Sequence, residues 1–231
     1  MLEKQGISRL LLAKYKKSGW LESLGKGAFK RADDIVGWHG GVYAIQKEEK
    51  PPLIHVGGLT AIILQGSGHY IRFKEAIQLF GQYKVNLPRW FKQYKWEEPI
   101  EYYSTNFLPA ELALTTYKEK NFSIIVSALE RAILECLYLA PDKIDLVECY
   151  QIIEGLTGLR PDILQELLEN CSSIKVKRLF MYMADKANHD WLKFIDLTDI
   201  NLGKGKRSIV KNGAYNIKYA ITISKELEKP Q

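Results

Sequence analysis

The spacing of apolar positions changes several times along this chain, and each change marks an element. From Arg9 to Lys17, Leu11, Leu12 and Tyr15 share one side of a helical projection while Arg9, Ala13, Lys16 and Lys17 share the other. That is an amphipathic helix with one basic side, begun by the N-cap residue Ser8 and stopped at Ser18-Gly19. Residues 20–24 and 28–31 then read as two short strands joined at Gly25-Lys26-Gly27, whose glycines allow a tight hairpin turn. Asp33-Asp34 is expected to cap a helix running through Gln46, and the charged, proline-ended stretch from Lys47 to Pro52 reads as a linker.

Beyond the linker the pattern is mixed. Strands are expected at 53–56, 71–73, 76–80, 100–103 and 123–126, with a helix at 58–65. Ser127-Ala-Leu-Glu130 has the form of a capping box and opens a helix whose Leu129, Ala132, Ile133, Cys136, Leu137 and Ala140 fall on one face. Further helices are expected at 144–156, 161–170, with proline in its first turn, and 174–186. In the last, Val176, Leu179, Phe180 and Met183 form the buried stripe, and Lys175, Lys177, Arg178 and Lys186 lie outside it. Arg207 to Gly213 carries a hairpin signal before a strand at 219–224. The expected fold class is α+β: a winged helix-turn-helix over residues 1–50 and a mixed α/β domain over 51–231.

Residues 82–96 interleave five aromatics with four cations. The favoured expectation is an amphipathic helix with its aromatics in the core and its lysines snorkelling outward. A strip that stacks single-stranded bases is the alternative.

Charge sharpens the picture more than composition does. Hydrophobic residues make up 46% and charged residues 26%, as in an ordinary globular protein, and no apolar run approaches the roughly 18 residues of a membrane helix. With no apolar leader at the N-terminus and three scattered cysteines, a soluble cytoplasmic protein without membrane contact is expected. The net charge of +6 is unevenly placed: residues 1–31 hold eight basic against two acidic groups, residues 127–173 three against nine, and residues 174–218 ten against four. Two basic segments therefore flank an acidic one, which predicts two anion-facing surfaces.

The first of these has the parts of a DNA reader. A recognition helix lays its N-terminal side chains along base edges while neighbouring cations and a wing hold phosphates. Here Arg9, Lys16 and Lys17, with Ser8 and Lys14 beside them, would address the groove, and Lys26, Lys30 and Arg31 the phosphates. Signs of catalysis are missing. His39, His55, His69 and His189 stand alone, and neither metal-ligand spacing nor a phosphate-binding loop, dinucleotide fingerprint or nucleophile elbow occurs, so no metal, cofactor or enzymatic role is expected. Glu130 and Arg131 read as a helix cap and a surface pair. Lys204-Gly205-Lys206-Arg207 could hold a phosphate.

Seven stretches occur in the order seen in one family: Gly6-Ile-Ser8, Lys17-Ser-Gly-Trp-Leu21, Leu24-Gly-Lys-Gly-Ala-Phe29, His55-Val-Gly-Gly58, Ser127-Ala-Leu-Glu-Arg-Ala-Ile-Leu-Glu135, Lys175-Val-Lys-Arg-Leu-Phe180 and Leu202-Gly-Lys-Gly-Lys-Arg-Ser208. Over nearly its whole length the chain resembles the AbiEi antitoxin family. The resemblance implies a type IV toxin-antitoxin system whose toxin resembles a nucleotidyltransferase. It further implies that the N-terminal winged helix binds inverted repeats in promoter double-stranded DNA, two copies to a repeat, and represses its own operon. The C-terminal domain would counter the toxin through a basic surface, without an implied stable complex. Lys175, Lys177, Arg178, Lys204, Lys206, Arg207 and Lys211 are the candidates for that surface. Family members carry a further helix ahead of the segment matching Leu2 to Gly6, so the module is expected to lack its first helix here and to expose Leu11, Leu12 and Tyr15. Two other readings stay open: a plain winged-helix transcription factor with a ligand-sensing or dimerisation domain, and an RNA-acting enzyme.

Overall fold

The structure, a computed structural model, describes residues 7–48, 53–67 and 76–228. The strand expected at 71–73 and the lone His69 lie outside the described residues. Helix α1 (Arg9–Lys17) begins where Ser8 Oγ accepts the Leu11 N–H at 3.2 Å, as a serine N-cap should. Strands β1 (Leu21–Gly25) and β2 (Ala28–Arg31) form the antiparallel hairpin, turning at Lys26-Gly27. Asp33-Asp34 does not cap the next helix. Helix α2 (Trp38–Glu48) starts later, where Gly37 C=O accepts the Gly40 and Gly41 N–H groups, because Trp38, Val42 and Ile45 are the residues that reach the core.

A five-stranded mixed sheet forms the centre of the molecule. It contains β3 (Ile54–Val56), β4 (Ile77–Gln82), β5 (Ile100–Thr105), β6 (Leu114–Lys118) and β7 (Ser123–Ser127) in the order β5-β4-β3-β7-β6. The β3–β4 and β6–β7 pairs are antiparallel, while β4–β5 and β3–β7 are parallel. Helix α2 is tied to this sheet by Gln46. Its amide donates to the Ile54 and Ile125 carbonyls, and its oxygen accepts the Ile125 N–H, bridging β3 and β7 where their own ladder is short. Within 82–96 only α4 (Arg89–Gln93) is helical; Phe91 is buried and Trp90 and Trp96 pack on the core, whereas Tyr83 is exposed.

Helices α3 (Gly58–Leu64), α5 (Leu129–Leu139), α6 (Leu146–Gly155), α7 (Pro161–Asn170) and α8 (Ile174–Lys186) complete the core around α5. Both α5 and α8 are buried on nearly all sides. The one-sided stripe expected for α8 is therefore corrected: Lys177 and Arg178 are buried, because the loop at 200–207 covers the flank that was expected to meet solvent. A three-stranded sheet follows, of β8 (Arg207–Ser208), β9 (Ala214–Asn216) and β10 (Ile221–Ile223). The turn at Asn212-Gly213 does not close a hairpin between β8 and β9; β10 lies between them, parallel to β8 and antiparallel to β9. Among the described residues no helix is long and apolar enough to cross a membrane. The three cysteines are buried thiols.

Where α5 meets β3, Glu135 is fully buried and satisfied. It accepts from His55 Nε2 (2.9 Å), the Gly58 N–H (2.8 Å), Ser127 Oγ (2.8 Å) and Arg131 Nε (2.8 Å). Burial alone would raise its pKa, but the His55 ring, the Arg131 guanidinium and the Gly58 N–H outweigh that and hold the carboxyl at about 2. Burial pushes the His55 ring the other way, below the ordinary histidine value, against the pull of Glu135. The expected capping box is not made. Ser127 spends its hydroxyl on Glu135, and Glu130 instead accepts from Arg160 through Nε, Nη2 and the backbone N–H. Glu130 and Arg131 are both buried, so the surface-pair reading is also replaced.

Candidate nucleic-acid interface

The N-terminal cations sit on elements with few buried residues. In α1 no residue is buried, and Leu10 (75% exposed), Leu11 and Tyr15 face outward, as does Trp20 (72%) just after it. With so little burial, α1 is shaped mainly by its cap and by contact with β1. Lys14, Lys16 and Lys17 occupy its last turn, where cations complement the negative helix end.

Arg9, Lys16, Lys26, Lys30 and Arg31 line one open cleft of about 970 Å³ between α1, the hairpin and α2. Ser8, Lys14 and Lys17 lie off its walls. Ser8 holds the helix start through its hydroxyl. Lys30 is partly committed: its Nζ lies 2.8 Å from Glu22 Oε2 and donates to the Asp34 carbonyl at 2.9 Å, and the Glu22 contact raises its pKa. Lys26 stands at the exposed hairpin tip.

The hairpin is seated on α4 through Gly25, at φ +154°. A Cβ there would lie 2.9 Å from Trp90 Cβ and 3.1 Å from its Cα. Gly25→Ala is expected to destabilise this contact by about 1–3 kcal/mol, since neither backbone can give way cheaply. The check is protease nicking between residues 18 and 37, which should quicken while the melting of the central sheet stays put.

The second basic cluster separates into exposed and structural cations. Lys204, Lys206, Arg207 and Lys211 are exposed, and Lys206 Nζ stands 5.0 Å from the Tyr215 ring centroid. Arg178 holds this loop from beneath: Nε donates to Leu202 C=O (2.6 Å), Nη1 to Gly205 C=O (2.8 Å) and Ala220 C=O (3.0 Å), and Nη2 to Gly203 C=O (3.1 Å). Lys175 caps the end of α5, donating to the Tyr138 and Ala140 carbonyls at 2.7 and 2.6 Å, and burial lowers its pKa. Burial lowers that of Lys177 too. Lys177 and Arg178, expected on the surface, are thus structural residues, and Lys175 is half-buried.

Two family models together span the chain. The one described as "Transcriptional regulator, AbiEi antitoxin, Type IV TA system" matches residues 74–224. The other, "Transcriptional regulator, AbiEi antitoxin N-terminal domain", matches residues 1–73. No curated protein matches the sequence. Among solved structures, the crystal structure of the RV2827C protein from Mycobacterium tuberculosis is similar at a TM-score of 0.60 and 11% identity, over 91% of this chain and 77% of that one. At that identity the likeness is one of fold.

Proposed function

We propose, from the premise that the chain belongs to the AbiEi family of type IV antitoxin transcriptional regulators, that residues 1–50 read promoter DNA and the remainder counters the toxin. The observation that carries the DNA half is the convergence of Arg9, Lys16, Lys26, Lys30 and Arg31 on one cleft beside a capped, outward-facing helix. Arg9 and Lys16 address bases, Lys17 and the hairpin cations hold phosphates, and two copies read an inverted repeat, since a symmetric site calls for two modules. The resulting act is repression of the chain's own operon.

The antitoxin half rests on Lys204, Lys206, Arg207 and Lys211, presented together by a loop that Arg178 anchors. The toxin it counters would be nucleotidyltransferase-like, and no catalytic role falls to this chain.

The test is binding of the full chain to its own upstream DNA over a salt series, beside Arg9→Ala/Lys16→Ala/Lys17→Ala. Sequence-preferring binding should weaken with salt, and the variant should lose preference and flatten the log–log slope by about 2 to 3, near 0.9 for each lost phosphate contact. Native binding with no preference over random DNA would sink the reading. Growth rescue from the co-expressed toxin, retained by this triple variant and lost on replacing the four loop cations with serine, separates the two halves.

A further inference from the structure

The aromatic and cationic stretch at 82–96 leaves one part outside the core. Tyr83 is 61% exposed, with Lys84 Nζ 5.3 Å from its ring centroid. It stands at a cavity of about 220 Å³ that His55, Phe80, Asn106, Phe107 and Arg131 also line. Two of these are charged or titratable and more than nine-tenths buried: His55 is 4% and Arg131 5% exposed. Both are anchored on a single atom, Glu135 Oε1, through His55 Nε2 and Arg131 Nε. Arg131 Nη1 is further spent on the Pro109 and Leu112 carbonyls. His55 Nδ1 and Arg131 Nη2 are left with no hydrogen-bond partner among the described residues, yet neither is sealed from solvent.

The hydrogen-bonding roles of these two atoms follow from Glu135. An ionised carboxylate can only accept, so the imidazole proton is on Nε2, and burial keeps the ring neutral. Nδ1 is then a bare acceptor, and Nη2 is a donor. A second carboxylate would fit poorly: it would set its own lone pairs against Nδ1, and the Arg131 charge is already balanced by Glu135. At roughly 30 Å³ per water, the cavity holds about seven water volumes, and it falls below the ~300 Å³ at which drug-sized pockets begin. That is room for one planar ring system between Phe80 and Phe107.

We propose that this cavity binds a single nucleobase. His55 Nδ1 accepts from, and Arg131 Nη2 donates to, the adjacent donor and acceptor that every base carries on its Watson–Crick edge, as in sites that read an extruded base. Tyr83 and Lys84 meet the sugar and phosphate at the mouth. The base comes either from a free nucleotide or from a single strand. The inference stands independently of promoter reading, since none of these residues lines the N-terminal cleft.

The experiment is calorimetric titration of the full chain with AMP, CMP, GMP and UMP, with ribose 5-phosphate as the base-free probe and a single-stranded hexaribonucleotide of the preferred base as the second arm. One-site binding of at least one mononucleotide is expected, at least tenfold tighter than the sugar phosphate. Tyr83→Ala should weaken it about tenfold, the scale of one lost base–aromatic stack. Ala110→Trp, placed on a cavity-lining loop, should abolish it while melting stays unchanged. A hexamer that binds more tightly than the mononucleotide points to a strand as the source; equal affinity points to the free nucleotide, and both support the site. The proposal is overturned if neither mononucleotide nor hexamer binds, if ribose 5-phosphate binds as well as the nucleotides, or if Ala110→Trp leaves affinity intact.

Discussion

Replacing Glu135 with leucine is expected to destabilise the chain by about 3–5 kcal/mol, the range for stripping the partner from a buried charge. The leucine would fill similar space but leave Arg131 with an uncompensated charge and strand the donors of His55, Ser127 and Gly58 in the core. Urea unfolding reads the effect directly, and a midpoint within experimental error of the native chain would refute the account. The same network makes stability sensitive to acid. His55 has a depressed pKa in the fold, so below its ordinary value of 6.5 the unfolded chain binds the proton first and stability falls. One such proton gives a slope of about 1.4 kcal/mol per pH unit. Glu135, held at about 2 against an ordinary 4.5, adds a second loss as the pH drops below 4.5. The stability both groups lend is fully present above neutral pH. His39, also lowered by burial, titrates in the first window, so the share of His55 is the difference between native and His55→Asn profiles. A native chain with flat stability from pH 7 to 5 would contradict this.

Arg178→Met is the second large effect. The side chain is 3% exposed, and four hydrogen bonds to carbonyls of residues 202, 203, 205 and 220 disappear with it. Bonds from a charged donor contribute about 1.5–3 kcal/mol each, but the freed carbonyls at 203 and 205 can rehydrate, so a loss of roughly 3 kcal/mol is expected. Its signature is local as well as global. Amide exchange at residues 202–208 should quicken more than in α5, and rescue from the toxin should fall although Lys204, Lys206 and Arg207 remain. Rescue at the native level with a released loop would show that its shape is irrelevant to the antitoxin role.

What could be read from the sequence is what depends on neighbours in the chain. The bounds of α7 follow from Pro161 in its first turn, the start of α8 from Ser173, and the β1–β2 hairpin from its glycine-flanked turn. The cleft cations lie within 23 residues of one another, so their grouping needed only a helix and a hairpin. Where distant segments decide, local pattern misleads. The Ser127-to-Glu130 spacing suggests a capping box, but Glu135 on the same helix and Arg160 from another compete for both side chains. Lys177 and Arg178 fall outside the apolar stripe of α8, yet a loop more than twenty residues on covers them. β6 was missed because Leu114–Lys118 carries two threonines and a lysine on the sheet's edge, where burial is slight. One signal for the Glu135 centre was present: an arginine and a glutamate four apart in an apolar helix, and a histidine inside the strand Ile-His-Val, all needing partners if buried.

The central place of β3 also has a consequence for biosynthesis. Val56 pairs with Val126, and Gln46 hydrogen-bonds Ile125, so the strand and the helix beside it wait for a segment that leaves the ribosome much later. The N-terminal hairpin, built from near neighbours, can close while translation continues. Until β7 emerges, Ile54 and Val56 have no lasting cover on that side, and the nascent chain presents an open strand edge. Synthesis of residues 57–127 is thus the interval in which this protein depends most on chaperones, and in which a slow codon run would be most damaging.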